Sequence, residues 1–170
     1  MLQGSGCLNY ALVLRITANG PLRSITSANQ FIMERNRAAI TGLIPGPRTP
    51  QSWPEITVSG HTDLAIGGRK FSGNSQRRKK NFLLFHGTFL LDFNLALVGE
   101  FLQMPTLQPD YRASRGHEDF LTNLNLPADK VKAALQTAWK ATDELQDFPR
   151  AEAQRLAMEK YSTAAWNLKW

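Results

Sequence analysis

From Leu64 to Leu91 the chain carries no Asp or Glu, yet the same stretch holds a Gly-Gly pair, two strand-like runs and six cations between Arg69 and Lys80. Gly67-Gly68 is a tight-turn signal, because a two-residue hairpin needs the positive φ that glycine adopts without a steric cost. The run Lys70 to Gln76 then reads as one strand and Phe82 to Leu91 as another. The second is apolar at nearly every position, which predicts a central strand covered on both faces. Upstream, Ile56 to Val58 and Asp63 to Ile66 read as two short strands with Ser59-Gly60 turning between them. Leu8, Tyr10, Leu12, Leu14 and Ile16 alternate along Cys7 to Thr17, the pattern of a half-buried strand.

Helical signals flank these strands. Ile25, Ala28, Ile32 and Ala39 share a stripe on a helix spanning Pro21 to Ile40, with Ser27 and Gln30 as its capping box. Asn94 to Leu102 predicts a short helix, and Met104 to Arg115 a Pro-punctuated loop. Leu43 to Pro54, with four prolines, is a loop as well. Val131, Ala134, Leu135, Ala138 and Trp139 mark a helix from Pro127 to Leu145, and Pro149 opens another that runs to about Lys160. The expected fold class is α+β: a mostly antiparallel sheet with packed helices. The 170 residues suffice for one domain, 1–170, with a helical C-terminal part at about 127–162.

The formal charge of +6 points to anionic partners. Nucleic acid, nucleotide, phosphate or an acidic protein surface would all satisfy it. Because six cations sit together at Arg69 to Lys80, a local anion site is expected rather than a nucleic-acid face. Small and hydroxylated residues surround Lys70, so glycine-freed backbone N–H groups and a point charge can meet at a phosphate. Arg78, Lys79 and Lys80 are read as solvated. By period two, Leu84, His86 and Thr88 share one strand face. The single cysteine, Cys7, excludes an internal disulfide, and His61, His86 and His117 lack metal-ligand spacing. There is no membrane-spanning run and no signal-peptide pattern, and the chain is read as cytoplasmic.

Three pieces in order carry a family resemblance: Asp63-Leu64, then Arg69-Lys70-Phe71-Ser72-Gly73, then His86-Gly87-Thr88-Phe89-Leu90-Leu91. Together with Gly6 to Tyr10 and Tyr111 to Leu124 they resemble the lipoate–protein ligases, within the class of biotin and lipoate protein ligases. The resemblance implies activation of a carboxylate by ATP, with Mg²⁺, to an acyl-adenylate. The acyl group then passes to a lysine on a carrier domain, of the kind found in 2-oxoacid dehydrogenases or glycine-cleavage H-type proteins. It places Lys70 at the acyl carbonyl and adenylate phosphate, and Asp63 near that phosphate as a magnesium-side carboxylate. Asn9, Ser75 and Arg77 would bind around the adenylate, while Leu84, His86 and Thr88 would line the acyl pocket.

Two departures bear on the reading. Relatives that transfer octanoate between carriers use a cysteine near the region matching Tyr111 to Arg115, and this chain has none there. That favours a ligase, with the transferase and a non-catalytic binding remnant as alternatives. The family's Arg-Arg-x-Ser-Gly-Gly-Gly loop would precede Leu2, so the domain is expected to be N-terminally truncated. On that reading the 170 residues alone should be inactive and weakly stable.

Overall fold

The computed structural model describes residues 2–44 and 54–169. The chain divides into two compact units, Met1–Lys140 and Ala141–Trp170. The first carries a five-stranded antiparallel sheet. Its strands are β1 (Cys7–Arg15), β2 (Ile56–Ser59), β3 (Asp63–Ile66), β4 (Arg69–Arg78) and β5 (Phe82–Leu90), in the order β1-β5-β4-β3-β2. This is the α+β architecture that the strand and helix patterns predict. Most of the loop expected at 43–54 lies outside the described residues.

One face of the sheet is packed. Ile32, Met33 and Ile40 of helix α1 (Ile25–Thr41) and Val131 of helix α4 (Ala128–Trp139) join Phe71, Phe85 and Phe89 in one core. Burying each such side chain contributes about 1.5–3 kcal/mol. Leu8, Tyr10, Leu12 and Leu14 of β1 face the same core, as their alternation requires.

The other face is open, and here the expectation for β5 fails. Phe82 is 49% exposed and Leu84 38%, while Leu83, Phe85 and Phe89 between them are buried. The strand is central in the sheet but covered on one side only. Its apolar run alternates between the core and an open face, a distinction that composition cannot make.

Helix boundaries differ from the sequence pattern for local reasons. The capping box of α1 is Ser24 with Ser27, one turn before the Ser27–Gln30 pair. Arg78 fixes this start. Its guanidinium donates to the carbonyls of Leu22 at 2.7 Å, Arg23 at 3.3 Å and Ser24 at 3.4 Å. Arg78 is therefore a structural clamp rather than a solvated cation, because period two turns it to the packed face. Helix α4 stops at Trp139, short of the expected Leu145. Lys140 takes a left-handed conformation there, φ 53°, and its N–H closes back on Gln136 and Thr137.

A buried polar chain crosses the core. Trp139 Nε1 donates to Asn36 Oδ1 at 2.8 Å, and Asn36 Nδ2 to the Tyr10 hydroxyl at 2.8 Å. Tyr10 donates to Asn74 Oδ1 at 2.6 Å, and Asn74 Nδ2 donates to the Thr62 carbonyl at 2.7 Å. Burial pushes the Tyr10 phenol well above its ordinary pKa, so it stays a donor. The chain ties α4, α1, β1 and β4 into one register. Asn36→Leu leaves the Trp139 N–H and the Tyr10 hydroxyl each without this partner. It is expected to lower unfolding free energy by about 2–4 kcal/mol in urea, with an unchanged slope.

Beyond the sheet the first unit adds α2 (Ala96–Phe101), a 3₁₀ turn at Asp110–Arg112 and α3 (His117–Phe120). The second unit holds α5 (Arg150–Leu156), a π turn at Ala157–Tyr161 and α6 (Ala164–Asn167). The expected helix to Lys160 is thus interrupted at Leu156. Within that unit Arg155 pairs with Glu152 and Glu159, and Tyr161 meets Trp166 edge-on at 5.1 Å. None of the described helices is long and apolar enough to cross a membrane.

Candidate active site

A cavity of about 790 Å³ lies on the open face of the sheet. Its size is that of a small-molecule site. One part of its wall is apolar, from Leu90, Phe93, Val98, Leu102 and Leu121, and the other part is polar.

A β-bulge brings the ammonium there. Across β3 and β4, Leu64 pairs with Ser72, but Ala65 pairs with Lys70, so Phe71 is an extra residue on β4. Phe71 and Ser72 are consequently both buried, which strict alternation on a sheet packed on one face would not give. The slip returns Lys70 to the open face, beside Asp63 and Gly73. Without the extra residue, strict alternation would turn Lys70 into the core. The bulge is held from outside by the Thr122 N–H, which donates to the Lys70 carbonyl at 2.9 Å.

Lys70 Nζ lies 2.8 Å from Asp63 Oδ1. The other carboxylate oxygen, Oδ2, accepts from the Tyr111 hydroxyl at 2.7 Å. Burial is the main cause that drives the Tyr111 phenol far above its ordinary pKa, and the bond to Asp63 adds to it. Gly73 leaves the room the lysine needs: a Cβ on it would stand 3.0 Å from both Cε and Nζ of Lys70. Beside this pair, Thr88 Oγ1 donates to Asn9 Oδ1 at 2.6 Å. Asn9 Nδ2 donates to Gln3 Oε1 at 3.1 Å, and Gln3 Nε2 to Thr88 Oγ1 at 3.0 Å. The three side chains form a closed polar ring on the cavity wall.

Of the residues singled out in the sequence, Lys70, Asp63, Asn9, Ser75, His86 and Thr88 line this one cavity. Leu84 and Arg77 stand opposite each other on the same face, beyond the residues that line it. Cys7 does not line it either. Tyr111 and Gln3 were not anticipated. Each reaches the site across the fold, and no local pattern announces such a contact. Among the described residues no group of three or more His, Cys, Asp or Glu side chains is placed to hold a metal ion.

The five-stranded antiparallel sheet with its packed helices has the fold of the catalytic domain of lipoate and biotin protein ligases. Residues 2–140 match the lipoyl protein ligase A/B catalytic domain, and the chain belongs to that family. It is 27% identical over 135 residues to octanoyltransferase LipM of Geobacillus kaustophilus, covering 72% of this chain and 49% of that protein. It is 27% identical over 121 residues to lipoate–protein ligase 1 of Staphylococcus aureus, covering 65% and 37%. Among solved structures, a lipoate-protein ligase A bound with ATP aligns with a TM-score of 0.68 at 24% identity, covering 96% of this chain and 65% of that one. A bi-partite lipoate protein ligase from Thermoplasma acidophilum, described with its E2 lipoyl domain, aligns at 0.66 and 20%, covering 96% and 64%. The chain spans about half or less of the length of the two curated relatives named here.

Proposed function

We propose that this domain serves an ATP-dependent lipoate–protein ligase. The observation that carries the reading is the Lys70 ammonium in a cavity with one apolar wall and no lining cysteine. Lipoate or octanoate would lay its alkyl chain against Leu90, Phe93 and Val98. A carboxylate oxygen of the acid bonds to the α-phosphorus of ATP as the bond to pyrophosphate breaks. A lysine amine of a lipoyl carrier domain then bonds to the acyl carbon, loses a proton to solvent, and AMP leaves. Negative charge grows on phosphate and carbonyl oxygens in both steps. A preorganised ammonium beside those oxygens stabilises it. The Asn9–Thr88 pair would orient polar groups of the adenylate, and Ser75 and His86 flank the same wall.

Among the described residues Asp63 is the one carboxylate lining the cavity, and both its oxygens are engaged. A single carboxylate suits a magnesium ion that keeps most of its ligands from water and phosphate, arriving with the nucleotide. It does not make a resident metal cage. The carrier is expected to be a lipoyl domain, in keeping with the resemblance and with the Thermoplasma neighbour's described partner. The cytoplasm is the expected compartment for this reaction.

The test is ATP–pyrophosphate exchange on the natural protein at its full length. Exchange that depends on added free lipoate supports the ligase. Acyl transfer from an octanoylated carrier without ATP overturns it. That second reading has its own observation, the similarity to LipM. Cys7 separates the two further. Cys7→Ser is expected to leave exchange and transfer within about twofold of the parent, as for a small half-buried side chain away from the chemistry. A thioester trapped on Cys7, with activity lost in the serine variant, would establish the transferase instead.

A further inference from the structure

We propose that Tyr111 is a positioning residue for Lys70, acting through Asp63, and so fixes where the ammonium enters the cavity. Its consequence for turnover rests on the ligase reading above; its geometry does not. A carboxylate with one donor on each oxygen cannot rotate without breaking a bond. Asp63 has Lys70 at 2.8 Å on Oδ1 and Tyr111 at 2.7 Å on Oδ2. The lysine stem is long and passes Gly73, where no side chain confines its tip. The direction of the ammonium is therefore inherited from the carboxylate, and that of the carboxylate from the phenol.

Tyr111 is itself held by a built support. It stands on the 3₁₀ turn Asp110–Arg112, and the next two residues, Ala113 and Ser114, both take left-handed conformations at φ 50° and 57°. Two consecutive residues of this kind persist only where the surroundings over-determine them. Here Arg112 and Arg115 each donate Nε to the other's carbonyl at 3.0 Å, and both guanidiniums lie over the Phe120 ring. Arg115 Nη2 also donates to the Tyr111 carbonyl at 2.8 Å and to the Gly68 carbonyl at 2.9 Å, tying the turn to the β3–β4 hairpin. The Tyr111 ring packs on Phe120 at 5.2 Å between centroids. Burial, with the bond to Asp63 second, moves the phenol further above its ordinary range, so it stays a donor to the carboxylate. When an anionic phosphate draws Lys70 from Asp63, Tyr111 keeps the carboxylate from following.

Tyr111→Phe retains the ring and removes only the hydroxyl. Two measurements on the full-length protein decide the matter. The first is the rate at which acetic anhydride acylates Lys70, read by peptide mass spectrometry against Lys79 and Lys80 of the same chain. Release of the carboxylate should raise the Lys70 rate by roughly threefold, with thermal unfolding unchanged. The second is adenylate formation, whose kcat should fall by roughly tenfold while KM for lipoate and ATP moves less than about twofold. Asp63→Asn should act in the same direction, and the double variant should be no worse than the more impaired single one. An unchanged Lys70 acylation rate in both variants overturns the proposal, as do losses that multiply in the double variant. If the parent makes no adenylate, the ligase reading fails, and the acylation rates still decide whether Tyr111 positions Lys70.

Discussion

Lys70→Ala is expected to lower acyl-adenylate formation by about 10²- to 10³-fold, the usual consequence of removing one preorganised group that meets developing negative charge. The fold should survive the change. Lys70 is partly exposed, and Asp63 keeps the Tyr111 hydroxyl as a donor. The rate is read from ATP–pyrophosphate exchange, and the fold from thermal unfolding of the same preparation. Lys70→Arg should restore little. A planar guanidinium spreads its charge over a fork and does not reproduce the compact point charge of an ammonium. Exchange in the alanine variant close to the parent's would remove Lys70 from the chemistry, and with it the main support for the ligase reading.

Gly87→Ala should cost more stability than any other methyl added to the site. A Cβ on Gly87 would lie 1.7 Å from Asn74 Oδ1 and 2.9 Å from the Gly73 carbonyl. Asn74 cannot retreat without abandoning Tyr10 and the Thr62 carbonyl. The polar chain from Trp139 to Thr62 would open at its centre, leaving a buried phenol and a carbonyl short of partners. Overpacking and lost hydrogen bonds together predict a loss of about 3–5 kcal/mol. Urea unfolding measures it, and a loss below about 1 kcal/mol, within the range of an ordinary surface substitution, would show that the strand shifts to admit the methyl. Gly73→Ala makes the contrast. Its Cβ meets the tip of Lys70 at 3.0 Å and Asp63 Oδ1 at 3.8 Å, so activity should suffer there before stability does.

The sheet was legible because its signals are local. The alternation from Leu8 to Ile16, the Gly67-Gly68 turn and the apolar run from Phe82 each record a strand or hairpin in adjacent residues. Period two put Leu84, His86 and Thr88 on one face of β5 and the family resemblance made that face a pocket wall; His86 and Thr88 do line the cavity, and Leu84 lies beyond it. What escaped was non-local or non-periodic. The Phe71 bulge is a slip of register against Leu64 and Ala65, and only the pairing reveals it. Tyr111 reaches Asp63 across 48 residues of sequence, through a turn whose left-handed residues, Ala113 and Ser114, are not the usual occupants of such positions. Arg78 looked like one cation among several, although its place on the packed face assigns it to the start of α1. Helix α4 ends early because a single residue, Lys140, adopts a conformation that its type does not advertise.

The bare side of the sheet has a bearing on how such a domain can change over time. Residues that confer stability and residues that confer chemistry stand on opposite sides of the same strands, often as immediate neighbours: Phe89 inward beside Thr88 outward, Phe85 inward beside His86 outward. On the proposed reading, drift in acyl-chain preference would run through Leu90 at least cost to stability, because Phe93 and Val98 of the same wall are themselves buried. At Gly87 the two inheritances meet in one residue, with Asn74 packed on its inner side and the cavity on its outer side. Variation should be narrowest there, and libraries that seek new substrates should diversify the surrounding outward positions and hold that glycine fixed.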